Sequence, residues 1–217
     1  MSTHMQATGT YICSIQAQMK DSRLVIASDN KGKIKEIREI INGVTLLSLS
    51  DVGFDRVIDE PFHTFAENAH AKAYALHQHS GLNVFADDSG ICVAALDGRP
   101  GVDSAHYSGS RNDEQNLQQV LREMEGVTDR RAWYMAVICL IWEGETYYFE
   151  GRCDGVLLHE KRGAGGFGYD PIFVPDGYDQ TFGELAPEVK NAISHRGKAV
   201  RQMAVFVNEQ LMQSGIQ

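Results

Sequence analysis

Between Val84 and Leu96 two adjacent carboxylates, Asp87 and Asp88, lie inside otherwise apolar sequence, and this limits what the chain can become. Val84-Phe85-Ala86 reads as a strand delivering both acids and the Ser89 hydroxyl to a turn at Gly90, and Ile91 to Leu96 reads as a strand leaving it. Side chains alternate faces along a strand, so Asp87 and Asp88 cannot point the same way. One should face the open end of a sheet, where a carboxylate can hold a divalent cation or take a proton from water. The same residues also fit a plain acidic turn capping two strands, and taken alone they do not choose.

Segments of helix and strand type surround this pair. Arg23 to Ala27 is a continuous apolar run of the buried-strand kind. Ser28-Asp29-Asn30-Lys31-Gly32-Lys33 follows, then Ile34, Ile37, Ile40 and Ile41 at helical spacing, stopped at Asn42-Gly43. A strand–loop–helix of this composition sets free backbone N–H groups and lysines at a helix N-terminus, which suits an anion. GxxxxGK[ST] is absent, so it is not a Walker loop, and an ordinary polar turn remains the alternative. Thr64-Phe65-Ala66-Glu67 is a capping box opening a helix to about His79, with Asn68 and Lys72 one turn apart and able to address one ligand. A further helix is expected from Asp113 to Met124. Arg131–Trp142 and Glu145–Glu150 read as a hairpin turning at Glu143-Gly144-Glu145, with another strand from Gly155 to His159.

Gly163 to Gly168 matches GxGxxG, yet a dinucleotide loop must open a helix. Here Tyr169-Asp170-Pro171-Ile172-Phe173-Val174-Pro175 follows, whose two prolines favour an extended strand. The segment reads as a mobile loop presenting Phe167 for stacking on a base with Asp170 reading its edge, or as a loop tucking Phe167 into the core. Pro187 to Ile193 starts a helix, and Ser194-His195-Arg196-Gly197-Lys198 leads into another. Lys190, His195 and Arg196 gather donors at that boundary, or form an ordinary basic surface.

The chain has 217 residues and a net charge of -9, which argues against a nucleic-acid polymer as partner and requires any anionic ligand to find a local cationic cluster. The four cysteines lack CxxC or metal spacing, and Cys92 and Cys139 lie in strand-like runs as small core residues. No apolar run approaches the ~20 residues of a membrane span. Met1 to Ser22 lacks the pattern of a secretory signal. The expectation is a cytoplasmic protein with a flexible extension over residues 1–22 and one continuous domain over 23–213.

Taken in order, SDNKGK, TFAENAHAKA, FADDSG, GGFGYDPIF and KNAISHRGKA resemble the inosine/xanthosine triphosphate pyrophosphatase family from about Leu24 to Leu211. The resemblance implies an α/β fold: an elongated mixed β-sheet flanked by helices, in two lobes with the active-site cleft between them. It implies a homodimer, Mg²⁺ as cofactor, and hydrolysis of deaminated purine nucleoside triphosphates to monophosphate and pyrophosphate. Ser28, Asp29, Asn30, Lys31, Gly32 and Lys33 correspond to the triphosphate loop. Asp88 corresponds to the catalytic carboxylate and metal ligand, with Ser89 beside it on the substrate. Glu60 stands where relatives place a second acid near the metal, and Lys72 where they place a phosphate-side lysine. Phe167, Gly168, Tyr169, Asp170, Lys190, His195 and Arg196 correspond to the base-binding residues. A non-catalytic nucleotide-binding module, or a pyrophosphatase for modified pyrimidines, would use a similar pocket.

Overall fold

The computed structural model describes residues 23–41 and 43–213. The expected N-terminal extension, Cys13 and the Asn42 of the first helix stop lie outside the described residues. The apolar runs pair into a six-stranded sheet: β1 (Arg23–Ile26), β2 (Thr45–Leu47), β3 (Asn83–Val93), β4 (Arg131–Trp142), β5 (Glu145–Leu157) and β6 (Phe173–Pro175). Its order is β2-β1-β3-β4-β5-β6, parallel across β2-β1-β3 and antiparallel from β3 onward. The helices are α1 (Lys31–Ile40), α2 (Phe65–Ser80), α3 (Asp113–Glu123), α4 (Pro187–Ile193) and α5 (His195–Gln213).

Strand alternation sorts the core. Leu24, Ile26, Phe85, Ile138 and Leu140 face Ile37 of α1 and Val200, Met203 and Val207 of α5. Val25, Val84, Ala86, Cys139 and Ile141 point to the opposite face, where Ala69, Ala73 and Leu76 of α2 cover them. Farther along β3, Ile91 and Val93 join a third cluster with Leu117, Val120, Phe173 and Phe182. Phe85, Asp87, Ser89 and Ile91 share one face of β3 by strand parity. A polar seam at Asp87 and Ser89 therefore separates two apolar clusters, while Asp88 looks out on the α2 side.

Gly90 is not a turn. β3 runs unbroken from Asn83 to Val93 with Gly90 paired to Met135 of β4. A Cβ at Gly90 would collide with the Gly101 carbonyl and the Ser104 hydroxyl, so the glycine serves a close backbone approach rather than a chain reversal. Likewise β5 is one strand, not two, because it pairs continuously with β4 from Glu145 to Val156. Its hairpin turn is the pair Glu143 (φ 51°) and Gly144 (φ 86°), both left-handed as a two-residue type I′ connection demands. Asp170 to Ile172 forms a short 3₁₀ turn before β6 instead of an extended strand throughout.

The capping box holds: Thr64 accepts from the Glu67 backbone N–H and donates its hydroxyl to the Glu67 carboxylate at 2.6 Å. Asn30 caps α1 by accepting from the Lys33 N–H at 3.1 Å. Cys92, Cys139 and Cys153 are buried and free. Among the described residues no helix is long and apolar enough to cross a membrane.

Candidate active site

A cleft of about 620 Å³ opens where α1, α2, β3, the 163–170 loop and the start of α5 converge. Of the residues expected to bind substrate or metal, all but Lys31 and Gly32 line it. Lys31 is exposed at the first turn of α1. Gly32 instead provides the flat spot on which the Phe167 ring rests, since a Cβ there would lie 2.9 Å from that ring.

As strand parity requires, Asp87 and Asp88 look in opposite directions and acquire opposite electrostatics. Asp87 is fully buried, 2.8 Å from Lys33 Nζ and 3.4 Å from Arg196 Nε. Burial opposes its ionisation, but Lys33 and Arg196 overcome that and hold its carboxyl far below the usual range. Lys33 is in turn pulled below its ordinary value by burial, which the Asp87 charge only partly offsets. Arg196 also donates to Ser89 Oγ at 2.7 Å and is ion-paired to Glu36 of α1. Lys190 closes the network, 2.6 Å from Glu36 and 2.7 Å from Asp170. Three cations thus face three carboxylates, and this half of the site is charge-balanced.

The Asp88 half is not. Lys72 Nζ lies 2.9 Å from Glu60 and 3.1 Å from Asp88, so one ammonium serves two carboxylates. Burial pushes Asp88 up to about 6, with Glu60 reinforcing the rise and Lys72 and Lys33 opposing it. Asp88 Oδ2 is buried without a hydrogen-bond partner. One surplus negative charge beside an unpaired carboxylate oxygen makes this end of the cleft attractive to a cation.

Opposite this end lies an aromatic wall. Phe167 packs under two cations, 5.0 Å from Lys190 Nζ and 5.6 Å from Arg196 Cζ at its ring centroid. Asp170 is buried, accepting from the Phe167 N–H at 2.8 Å, Lys190 and the Tyr134 hydroxyl at 3.3 Å, so it fixes the loop that carries Phe167. Tyr169 is pinned by its hydroxyl to the Ser104 carbonyl at 2.8 Å, and the Gly168 N–H donates to Asp113 at 3.0 Å. The His195 ring stacks on Tyr134 with centroids 4.5 Å apart and planes 5° apart. Burial, aided by Arg196, keeps His195 well below its usual value and therefore neutral, with Nδ1 unpaired.

Glu36 and Tyr134 escaped the sequence reading. For Glu36 the one signal in the sequence is its spacing three residues after Lys33, which places it on the side facing the cleft. Asn68, paired with Lys72 in that reading, borders the cleft but turns its amide onto the backbone of Phe62. His77 and His79 bind the carbonyls of Leu82 and Val52 and form no metal pair.

A model described as the Ham1 family matches residues 24–206. A dITP/XTP pyrophosphatase of Gluconobacter oxydans is 44% identical over 191 residues, covering 86% of this chain and 90% of the relative. Another of that name from Acidovorax sp. is 41% identical over 196 residues, covering 86% and 95%. The structure of the Staphylococcus aureus Ham1 protein superposes with a TM-score of 0.80 at 38% identity, covering 87% of this chain and 99% of that one.

Proposed function

Because the chain belongs to the Ham1 family, we propose that it hydrolyses deaminated purine nucleoside triphosphates (ITP, dITP and XTP) to the monophosphate and pyrophosphate. One observation carries this reading: a single cleft joins an acidic end with an unpaired buried oxygen on Asp88 to an aromatic end with a neutral histidine. The N-terminus of α1 lies between them. A triphosphate of about four negative charges could span the acidic end and α1 only with cations to offset it. In this reading Ser28 to Lys33 and Lys72 bind the phosphates, Ser89 contacts the substrate beside Asp88, and Phe167 to Asp170, Lys190, His195 and Arg196 hold the base.

Asp88 aligns the attacking water, and the proton that the water loses passes to solvent. A bond forms from the water oxygen to the α-phosphorus, the bond to the bridging oxygen breaks, and pyrophosphate leaves towards Lys33. Asp88 and Glu60 are the residues that would hold Mg²⁺. Among the described residues no group of three or more His, Cys, Asp or Glu is placed to hold a metal ion, and a two-carboxylate set suits Mg²⁺, which takes its remaining ligands from phosphate and water. When bound, the cation neutralises phosphate charge and acidifies water.

Base choice follows from hydrogen-bond polarity. Hypoxanthine and xanthine present a keto oxygen at position 6 beside a protonated N1, whereas adenine presents an amino donor there. Donors at the His195–Arg196 end would be opposed by adenine, and leaving such groups unpaired can lower kcat/KM by orders of magnitude. The same reading takes the apolar clusters on either side of the seam as two lobes of one domain over 23–213. It includes a homodimer, supported by an exposed aromatic groove at Phe62, Tyr74 and Tyr148, and a cytoplasmic location, supported by the free buried cysteines.

The test is a panel of nucleoside triphosphates with Mg²⁺, assayed for pyrophosphate. Pyrophosphate release from ITP or XTP far above that from ATP and GTP is expected. Stepwise release of orthophosphate through the diphosphate would overturn the α-phosphorus assignment.

A further inference from the structure

Glu60 lies in a stretch with no regular structure, and residues 55–63 are exposed throughout except for the half-buried Ile58. A carboxylate on such a segment would not by itself be held against a buried partner. Two residues of α2 hold this one. Lys72 reaches Glu60 at 2.9 Å. One turn earlier, the buried Asn68 makes a two-bond clamp on Phe62, accepting from its N–H at 3.0 Å and donating to its carbonyl at 3.1 Å.

The spacing of the two contacts matches. Two residues of extended chain advance about 6.6 Å, and four residues of helix rise about 6 Å. The segment therefore runs antiparallel along α2, with Glu60 opposite Lys72 and Phe62 opposite Asn68. Slipping it by one residue would turn Glu60 away from Lys72 and Asp88. Every hydrogen-bonding group of the Asn68 amide that is engaged goes to the Phe62 backbone, so the residue acts on the segment and not on a ligand.

We propose that Asn68 is a positioning residue for the cation site: by clamping Phe62 it sets the register that brings Glu60 beside Asp88. This rests on the reading of Asp88 and Glu60 as the cation-holding pair. It does not follow from a general structural role, because an asparagine that merely fastened the segment would affect cation binding equally with or without the Glu60 carboxylate.

The experiment measures Mn²⁺ binding by electron paramagnetic resonance on the full chain without nucleotide, alongside the Mg²⁺ dependence of turnover. Glu60→Gln and Asn68→Ala should each weaken Mn²⁺ binding about tenfold, since two neutral hydrogen bonds are lost in the latter. The double variant should be no weaker than Glu60→Gln alone, the signature of one residue acting through the other. On the exposed side, Phe62→Pro deletes the donor to Asn68 and should weaken binding severalfold, whereas Phe62→Ala retains the clamp and should not. That pair decides the matter if Asn68→Ala does not fold. Additive losses in the double variant, or equal binding by Phe62→Pro and Phe62→Ala, would overturn the positioning role. Mn²⁺ binding unaffected by Glu60→Gln, or absent from the wild type, would overturn the cation reading and the inference with it.

Discussion

Asp87 and Asp88 are chemically identical neighbours held in opposite states by the strand between them. Asp87 has two cations within 3.4 Å, and removing its charge would leave Lys33 and Arg196 repelling each other in a buried site. Breaking such a pair costs about 3–5 kcal/mol, so Asp87→Asn should lower thermal stability sharply. Asp88→Asn should do the reverse. Its folded value of about 6 lies above the 3.8 of an ordinary aspartate. Between those values the folded chain keeps a proton that the unfolded chain has released, so cation-free stability falls as pH rises through the window and is flat above it. That rise of the Asp88 value corresponds to at most about 3 kcal/mol at neutral pH. Asp88→Asn should therefore melt higher than wild type at pH 7.5 in chelator, with the advantage vanishing near pH 4, while kcat drops on the order of 10²–10⁴-fold. Melting curves at the two pH values and one kinetic assay check all of it. Equal loss of stability in both variants would show that the two faces of β3 are not electrostatically distinct.

At the scale of elements, the α5 N-terminus reaches the cleft only because β5 lets it. A Cβ at Gly151 would run into the His195 carbonyl and crowd the Ala199 N–H. Gly151→Ala should push the first turn of α5 off the sheet, costing about 1–3 kcal/mol and displacing His195 and Arg196 together. Gly144→Ala at the hairpin, where φ is 86° and nothing crowds, should cost about 1 kcal/mol through backbone strain alone. Activity measured below both melting temperatures separates them: a loss in Gly151→Ala and none in Gly144→Ala is expected. Gly151 also illustrates what sequence could and could not supply. The apolar runs of β1, β3 and β4 and the cap of α2 are readable because each is a local pattern. Gly90 and the break expected near Gly151 were misread because a glycine in a turn and a glycine under a crossing backbone look alike until the crossing element is known. The candidate site was legible as five separate segments. Its wiring was not, since Glu36 meets partners 154 and 160 residues away and no local periodicity encodes that.

For the whole molecule, Arg196 is the point where those segments become one structure. Its guanidinium joins Asp87 and Ser89 of β3 to Glu36 of α1, at the seam between two apolar clusters. Burial works against an isolated guanidinium, yet Asp87 and Glu36 raise Arg196 further above its ordinary value, so the charge is permanent. Arg196→Ala strips the buried Asp87 and the half-buried Glu36 of a partner and should cost about 3–5 kcal/mol in melting experiments. Arg196→Lys keeps the charge but cannot span all three partners, and should fall between it and wild type. If the same guanidinium also presents a donor to the 6-keto edge, Arg196→Ala assayed below its melting temperature should lower the ITP-to-ATP ratio of kcat/KM about ten- to a hundredfold. Lys33→Ala should depress both nucleotides alike, because a phosphate-side charge does not sense the base. An Arg196→Ala protein that loses stability but keeps its ratio would confine Arg196 to the seam and pass base reading to His195 and the backbone around it.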